Sequence, residues 1–461
     1  MLNKYICKRF SIFFVCLCVV LLCVSACGNI DSADNTYERE IESIIESDQN
    51  LTDATEVSDN DITDVSDALS NTEDTSVSEP IDDETSEINE TNEEEENRDI
   101  DESSQTGSYE ALKAYSEEEL ASADKINTGR FAYSSLSDID RRVYNQMFLG
   151  LNEMTDGALI DASSQDVINR LFQCVMMDHP EIFWVTGYTY VRYTAGDELK
   201  AVGFTGSYTM TNAVRESRQV AIDEYVNRVL GGMPAGDDYA KIKYAYEYIV
   251  LNTEYVIDSP DNQNICSVCI NGRSVCQGYA KTLQYILNKA GVMCTMVPGS
   301  TYTPTSGTQS HTWNLVKSNG EYYYVDATWG DASYLIPDDY SGNVPQINYN
   351  YLCVPFNEIT KTHTIASPVA MPPCNSMADN YYVREGCYYT GIDEARLQSH
   401  FNSSYEAGKS SVIIKASDVG TYNAIKAYMI DNQNVFKFLR DGSGTVSYWV
   451  DDDMCTITIN L

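Results

Sequence analysis

The sequence predicts an α+β protein with an antiparallel sheet at its centre. Three observations predict it. Segments of helical periodicity recur along the chain, at 135–152, 164–177, 212–230, 237–251 and 276–290. Between them lie runs rich in aromatic and β-branched residues, Ile182 to Tyr193 and Ala201 to Met210. Alternating residues also flank Asn319-Gly320, the strongest short hairpin signal in the chain.

The first residues are not domain material. Lys4, Lys8 and Arg9 precede an uncharged apolar run from Phe10 to Val24, and the small residues Ser25 and Ala26 stand before Cys27. That is the layout of a secretory signal peptide. Val24-Ser25-Ala26-Cys27 resembles a bacterial lipobox, which makes Cys27 the expected lipidation site and residues 1–27 a lipoprotein signal peptide. The expected location is the extracytoplasmic face of the cell membrane, held by a lipid anchor at Cys27. A soluble secreted protein cut near the same place is the competing reading; an uncleaved anchor helix would need about 20 apolar residues.

From Asp31 to Gly107 there are 28 Asp and Glu against Arg39 and Arg98, out of a net charge of −39 for the chain. With Tyr37 as its one aromatic residue, this stretch cannot bury enough apolar area to offset the entropy of ordering. Residues 28–107 are expected to form an acidic, disordered, self-repelling stalk. The remainder is acidic too, which excludes a nucleic-acid partner of the usual basic-faced kind.

Folded structure is expected from residue 108. Residues 108–235 read as an N-terminal α+β region: two helices, the second ended by Pro180, then strands, then the helix at 212–230. Gly231-Gly232-Met233-Pro234 breaks that helix, and a boundary is expected there. Residues 236–370 hold the chemistry-bearing motifs, and 371–461 read as a small mixed α/β unit.

Cys276, Ala280, Leu283, Leu287 and Ala290 share one helical stripe, with Gly291 as a stop. Cys276 is thereby expected at a helix N-terminus, where unpaired N–H groups and the helix dipole favour a thiolate and can donate to an oxyanion. A buried structural cysteine is the bland alternative.

A two-residue turn at Asn319-Gly320 sets Ser318 against Glu321, so Trp313 is expected opposite Asp326 and His311 opposite Thr328. His311, Trp313, Asp326 and Thr328 then share a face, with His311 and Asp326 as diagonal neighbours. An Asp so placed orients an imidazole that serves as base to a thiol. The other histidines, His179, His363 and His400, show no comparable surroundings in the sequence.

Ser274 to Val292 (SVCQGYAKTLQYILNKAGV), HTWNLV from His311 and YYYVDATWGD from Tyr322 resemble the core blocks of the bacterial transglutaminase-like superfamily, over roughly 240–335. The resemblance implies a papain-like α+β core, a helix bearing cysteine packed on an antiparallel sheet bearing histidine and aspartate. It places Cys276, His311 and Asp326 as the catalytic triad of an amide-attacking enzyme that works through a thioester. Where many relatives carry His-Asp-Tyr, this chain has Tyr246-Glu247-Tyr248. The DHPEIFW run from Asp178 is similar to segments that precede the core in exported relatives.

Gln277 and Trp313 flank these positions as candidate supports of the acyl site or oxyanion, although a tryptophan on a half-buried strand more often belongs to the core. Cys266-x-x-Cys269 has the spacing of a redox pair or half a zinc site, but no second such pair exists, so a local disulfide or two buried thiols is the better reading. With Cys276 free, eight further cysteines downstream of the leader permit up to four bridges. No metal and no organic cofactor is expected. The expected substrate is a protein or a cell-wall peptide. A non-catalytic surface binding or scaffolding protein on the same fold is the alternative.

Overall fold

The computed structural model describes residues 6–9, 109–195, 198–303, 307–331, 346–440 and 444–461. Ile6–Arg9 runs as an edge strand parallel to Tyr448–Asp451. Cys27 with its lipobox and the acidic stretch 28–107 lie outside the described residues. Among those described, no helix is long and apolar enough to cross a membrane.

Serine hydroxyls start the first three helices of more than one turn. α1 (Glu117–Asn127) follows Ser116, whose capping box with Glu119 satisfies two backbone donors at once. α2 (Asp138–Glu153) follows Ser137 and α3 (Gln165–Asp178) follows Ser164. Each hydroxyl accepts from a backbone N–H of the first turn that would otherwise lack a partner. Pro180 lies just past the end of α3, as expected. The aromatic runs form an antiparallel hairpin, β1 (Val185–Ala195) and β2 (Glu198–Tyr208). α4 (Asn212–Gly232) and α5 (Asp238–Asn252) are separated at the Gly-Gly-Met-Pro break.

α6 (Cys276–Lys289) is the central helix. It is buried on nearly every side, including Tyr279, Leu283, Ile286 and Leu287, each large apolar side chain contributing on the order of 1.5–3 kcal/mol by leaving water. It packs on an antiparallel sheet of order β6-β3-β4-β5, made of β3 (Cys294–Thr303), β4 (Gly307–Ser318), β5 (Glu321–Val325) and β6 (His363–Ile365). The side-chain amide of Asn314 on β4 donates to the Ala280 carbonyl at 2.9 Å, a direct bond from sheet to helix.

One apolar core runs from Ala123 to Cys387 and passes through the helix break near 235. Gln284 of α6 donates to the Met177 carbonyl of α3 at 2.8 Å, so the N-terminal helices and the central helix are joined by polar contacts too. A second core begins at Tyr389 and reaches Ile459. It lies between α7 (Glu394–Glu406), α8 (Val419–Lys426) and a sheet containing β7 (Ser411–Ala416), β8 (Tyr448–Asp451) and β9 (Thr456–Asn460).

Candidate active site

Cys276 is the first residue of α6, and Val275 before it offers no side-chain cap. The first-turn N–H groups are therefore not taken by a capping side chain. The approach to this helix end is tight: a Cβ on Gly278 would lie 2.5 Å from Ser267 Oγ and 3.1 Å from the Asn262 carbonyl, so only glycine fits there. All nine cysteines downstream of the leader are free thiols, which replaces the allowance for disulfides. Eight are buried and Cys276 alone is half-buried. Cys266 and Cys269 lie together in a short helix, Ile265–Cys269, and burial pushes the Cys266 thiol up to about 12.

The hairpin register is the one read from the turn, Ser318 opposite Glu321 through Asn314 opposite Val325. It stops there. Asp326 leaves the strand to cap the short helix Ala327–Gly330, its Oδ1 accepting from the backbone N–H of Thr328 at 2.8 Å and of Trp329 at 3.1 Å. The expected pairings of Trp313 with Asp326 and of His311 with Thr328 are thus corrected: Asp326 gives its backbone N–H to the Tyr351 carbonyl at 2.9 Å and caps a helix, which turns the chain before either position can pair. Its other oxygen, Oδ2, lies 2.7 Å from His311 Nε2.

His311 is 5% exposed and Asp326 1%. Burial disfavours the charged imidazole, but the Asp326 carboxylate and then Cys276 outweigh it and raise His311 to about 10. Burial likewise works against the Asp326 charge, yet His311 and then His363 hold that carboxyl well below the usual range. With Nε2 engaged by Asp326, Nδ1 is the His311 nitrogen left to face Cys276, whose neighbouring thiol also helps to raise His311.

A second histidine shares the site. His363 Nε2 lies 3.0 Å from the same Asp326 Oδ2, and its Nδ1 lies 2.7 Å from Thr362 Oγ1. This corrects the expectation that His363 lacks comparable surroundings. Its partner is 37 positions away in sequence, and only the pairing of β6 with β3 brings the two together. No local pattern announces it. His311, Asp326 and His363 also form a convergence of three potential ligand atoms within 4.8 Å; direct N–H···O bonds join these atoms, and the cluster reads as a hydrogen-bonded one.

Trp313 is fully buried and packs nearly parallel to His311, ring centroids 6.0 Å apart. It belongs to the core beneath the site. Trp329 meets both imidazoles, at 6.3 Å from His311 and 5.0 Å from His363. Gln277 keeps a buried Oε1, and Trp313 and Trp329 buried Nε1 atoms, with no hydrogen-bond partner. The departure at Tyr246-Glu247 is absorbed structurally: Tyr246 donates to the Asn348 carbonyl at 2.6 Å and Glu247 accepts from the Tyr349 hydroxyl at 2.7 Å. Asp331 accepts from Tyr279 at 3.0 Å and supports α6.

A helix opening on a half-buried cysteine, set by a sheet that carries a His–Asp pair, defines a class, and comparison with known proteins gives the same one. Residues 227–327 match the transglutaminase-like superfamily core and form such a core in this mixed helix-and-sheet protein. The chain is similar to kyphoscoliosis peptidase of Mus musculus, 25% identical over 128 residues, which are 25% of this chain and 19% of that protein. It is 30% identical to kyphoscoliosis peptidase of Homo sapiens over 123 residues, 24% of this chain and 18% of that one. The chain thus spans less than a fifth of the length of these curated relatives. A solved structure described as that of a TGase is similar at a TM-score of 0.23 and 12% identity, covering 42% of this chain and 53% of that one.

Proposed function

We propose that this protein is a cysteine-dependent acyltransferase or amidohydrolase, with Cys276 as nucleophile, His311 as proton carrier and Asp326 as the group that orients and charges His311. The superfamily usually has cysteine-based acyltransferase or protease activity. One observation carries the reading: among the described cysteines only Cys276 is half-buried, and it opens a helix beside His311, which a buried aspartate holds through Nε2. The Cys276 thiolate attacks an amide carbonyl carbon, and helix N–H groups stabilise the oxyanion. As the C–N bond breaks, the His311 imidazolium gives its proton to the departing nitrogen. An amine or water then attacks the thioester carbon, His311 takes the incoming proton, and the thiolate is restored. An amine yields a new amide and ammonia; water yields a carboxylic acid. Gln277 is proposed to lie beside the acyl site through its position next to Cys276.

The setting proposed is the outer face of a bacterial membrane, with Cys27 lipidated, residues 28–107 as spacer, and proteins or cell-wall peptides as substrates. The support is the leader and charge pattern of the sequence. Export is tested by Cys27→Ser, which should release the protein from the membrane fraction.

Glutamine-containing peptides, with and without a fluorescent primary amine, would be incubated with the protein and with Cys276→Ala. Ammonia release plus amine incorporation, lost in the variant, indicates acyl transfer; ammonia alone indicates deamidation; new peptide termini indicate proteolysis. No product, and no Cys276-linked acyl adduct by mass spectrometry, would defeat the enzymatic reading in favour of a binding protein on this fold.

A further inference from the structure

We infer that His363 is a positioning residue for the triad: its neutral imidazole donates to Asp326 Oδ2, clamps that oxygen, and shares its charge with His311. This inference rests on the proposed function of the same site.

The geometry comes from three strands. β3 runs between β4 and β6, and Gly299 on it pairs with His311 on one side and Ile365 on the other. A Cβ at 299 would collide with the Thr364 carbonyl and lie 2.6 Å from Trp313 Cη2. The absence of a side chain there lets β6 close over β3, so that His363 reaches Asp326 across it. Both Asp326 oxygens are then committed, Oδ1 to two backbone N–H groups and Oδ2 to two imidazoles.

For both rings to bond one acceptor oxygen, each must carry its proton on Nε2. His363 Nδ1 is then an acceptor, and the Thr362 hydroxyl at 2.7 Å is placed to donate to it. The titratable groups facing the two rings are Cys276 from α6, Asp326, Tyr351, whose ring lies 5.6 Å from that of His363, and the rings themselves, with Tyr246 from α5 next to Asp326. Burial, with the neighbouring His311, holds His363 below the ordinary histidine range against the pull of Asp326 and of the Ile359 carbonyl. A neutral donor on Oδ2 draws off negative charge that would otherwise bind the His311 proton harder. His363 thereby keeps His311 able to release that proton to a leaving group.

The test needs no substrate. The rate of Cys276 carboxymethylation by iodoacetate, an anion attracted by the His311 imidazolium, is measured against pH in wild type, His363→Met and His363→Gln. The high-pH limb reports loss of the His311 proton. It should move up by about one pH unit in the Met variant, which lacks the donor. In the Gln variant, whose amide N–H can replace it, the limb should stay near the wild-type position. An unmoved or downward limb in a folded Met variant overturns the inference, as does a Gln variant that shifts as far as Met. An independent measurement covers variants that fail to fold: in the wild-type protein, nitrogen-15 NMR of the histidine rings should show His363 as the neutral Nε2–H tautomer from pH 5 to 9 (about the range where free histidine titrates). Protonation of His363 within that range, or the Nδ1–H tautomer, also overturns it. If wild-type Cys276 shows no rate enhancement at neutral pH, it is the enzymatic reading that fails; the NMR outcome still decides the role of His363.

Discussion

The indole of Trp313 fills the space that a side chain at residue 299 would need, its Cη2 only 2.6 Å from where a Cβ on Gly299 would stand. The Thr364 carbonyl crowds the same point from the other strand. Because Trp313 stacks beside His311 and β6 carries His363, Gly299→Ala must push apart the elements that hold both histidines. A cost of about 1–3 kcal/mol is expected from overpacking, read as a lower Tm by circular dichroism. Cys276 alkylation in the still-folded variant should slow as well, because the Asp326 clamp is loosened.

Asp326→Asn keeps an oxygen for the Thr328 and Trp329 N–H groups but replaces Oδ2 by an amide that faces two N–H donors. His311 then loses the main force that raises it against burial, and its pKa should fall. The signs follow. The raised His311 favours the thiolate–imidazolium pair up to about pH 10 and loses it above. The lowered Asp326 contributes stability above about pH 4, its unfolded range, and loses it only as pH falls through the depressed folded value. The Asn variant should show Cys276 alkylation at pH 7 slowed about 10-fold or more, and little of the acid-linked loss of stability. Equal labelling rates would show that Asp326 does not govern His311.

The parts of the site legible in the sequence are those fixed by local rules. The 3.6-residue stripe and Gly291 placed Cys276 at a helix start, and Asn319-Gly320 set the register between His311 and the strand ending at Val325. Asp326 capping a helix was equally local, an acceptor side chain two and three residues before the N–H groups it binds, but a tight hairpin also reads as continuing strand. His363 was illegible because its partner depends on a three-residue strand pairing with β3 after a long loop. Burial of α6 over Gly278–Leu287, including Lys281 and Gln284, was hidden for a related reason. It depends on distant segments: the Met177 carbonyl of α3 accepts from Gln284 and the Gln263 carbonyl accepts from Lys281.

Thiol accessibility offers a direct check on which cysteine is special. With eight of the nine described thiols buried, brief iodoacetamide treatment of the native protein at pH 7 should modify Cys276 and leave Cys266, Cys269 and Cys294 untouched by peptide mass spectrometry. All should react in denaturant. Native labelling of Cys266 or Cys269 at a rate comparable to Cys276 would contradict the packing of the Ile265–Cys269 helix.

Lys281 makes the sharpest stability prediction. It sits on α6, 4% exposed, and its ammonium donates to the Gln263 carbonyl at 3.0 Å; no carboxylate is paired with it among the described ion pairs. Burial lowers it to about 8. A lysine whose folded pKa lies below its unfolded value near 10.4 costs stability at neutral pH, because the fold must hold a charge that water would solvate better. That cost is present in full below pH 8, shrinks as pH rises from 8 to about 10.4, and vanishes above, where both states are neutral. At about 1.4 kcal/mol per pKa unit, it amounts to roughly 3 kcal/mol at pH 7. Lys281→Met removes the charge and leaves the Gln263 carbonyl without its donor, a loss of about 1–3 kcal/mol. The two terms nearly cancel at pH 7, so the variant should be close to wild type there. Near pH 10 most of the first term is gone, and the variant should fall below wild type by most of the second. Urea unfolding of both proteins at pH 7 and pH 10 measures this, and the difference between the two cancels the other groups that titrate in the range. A gap that stays constant with pH would mean that Lys281 does not change its protonation on folding, and that its ammonium is better solvated than its burial implies.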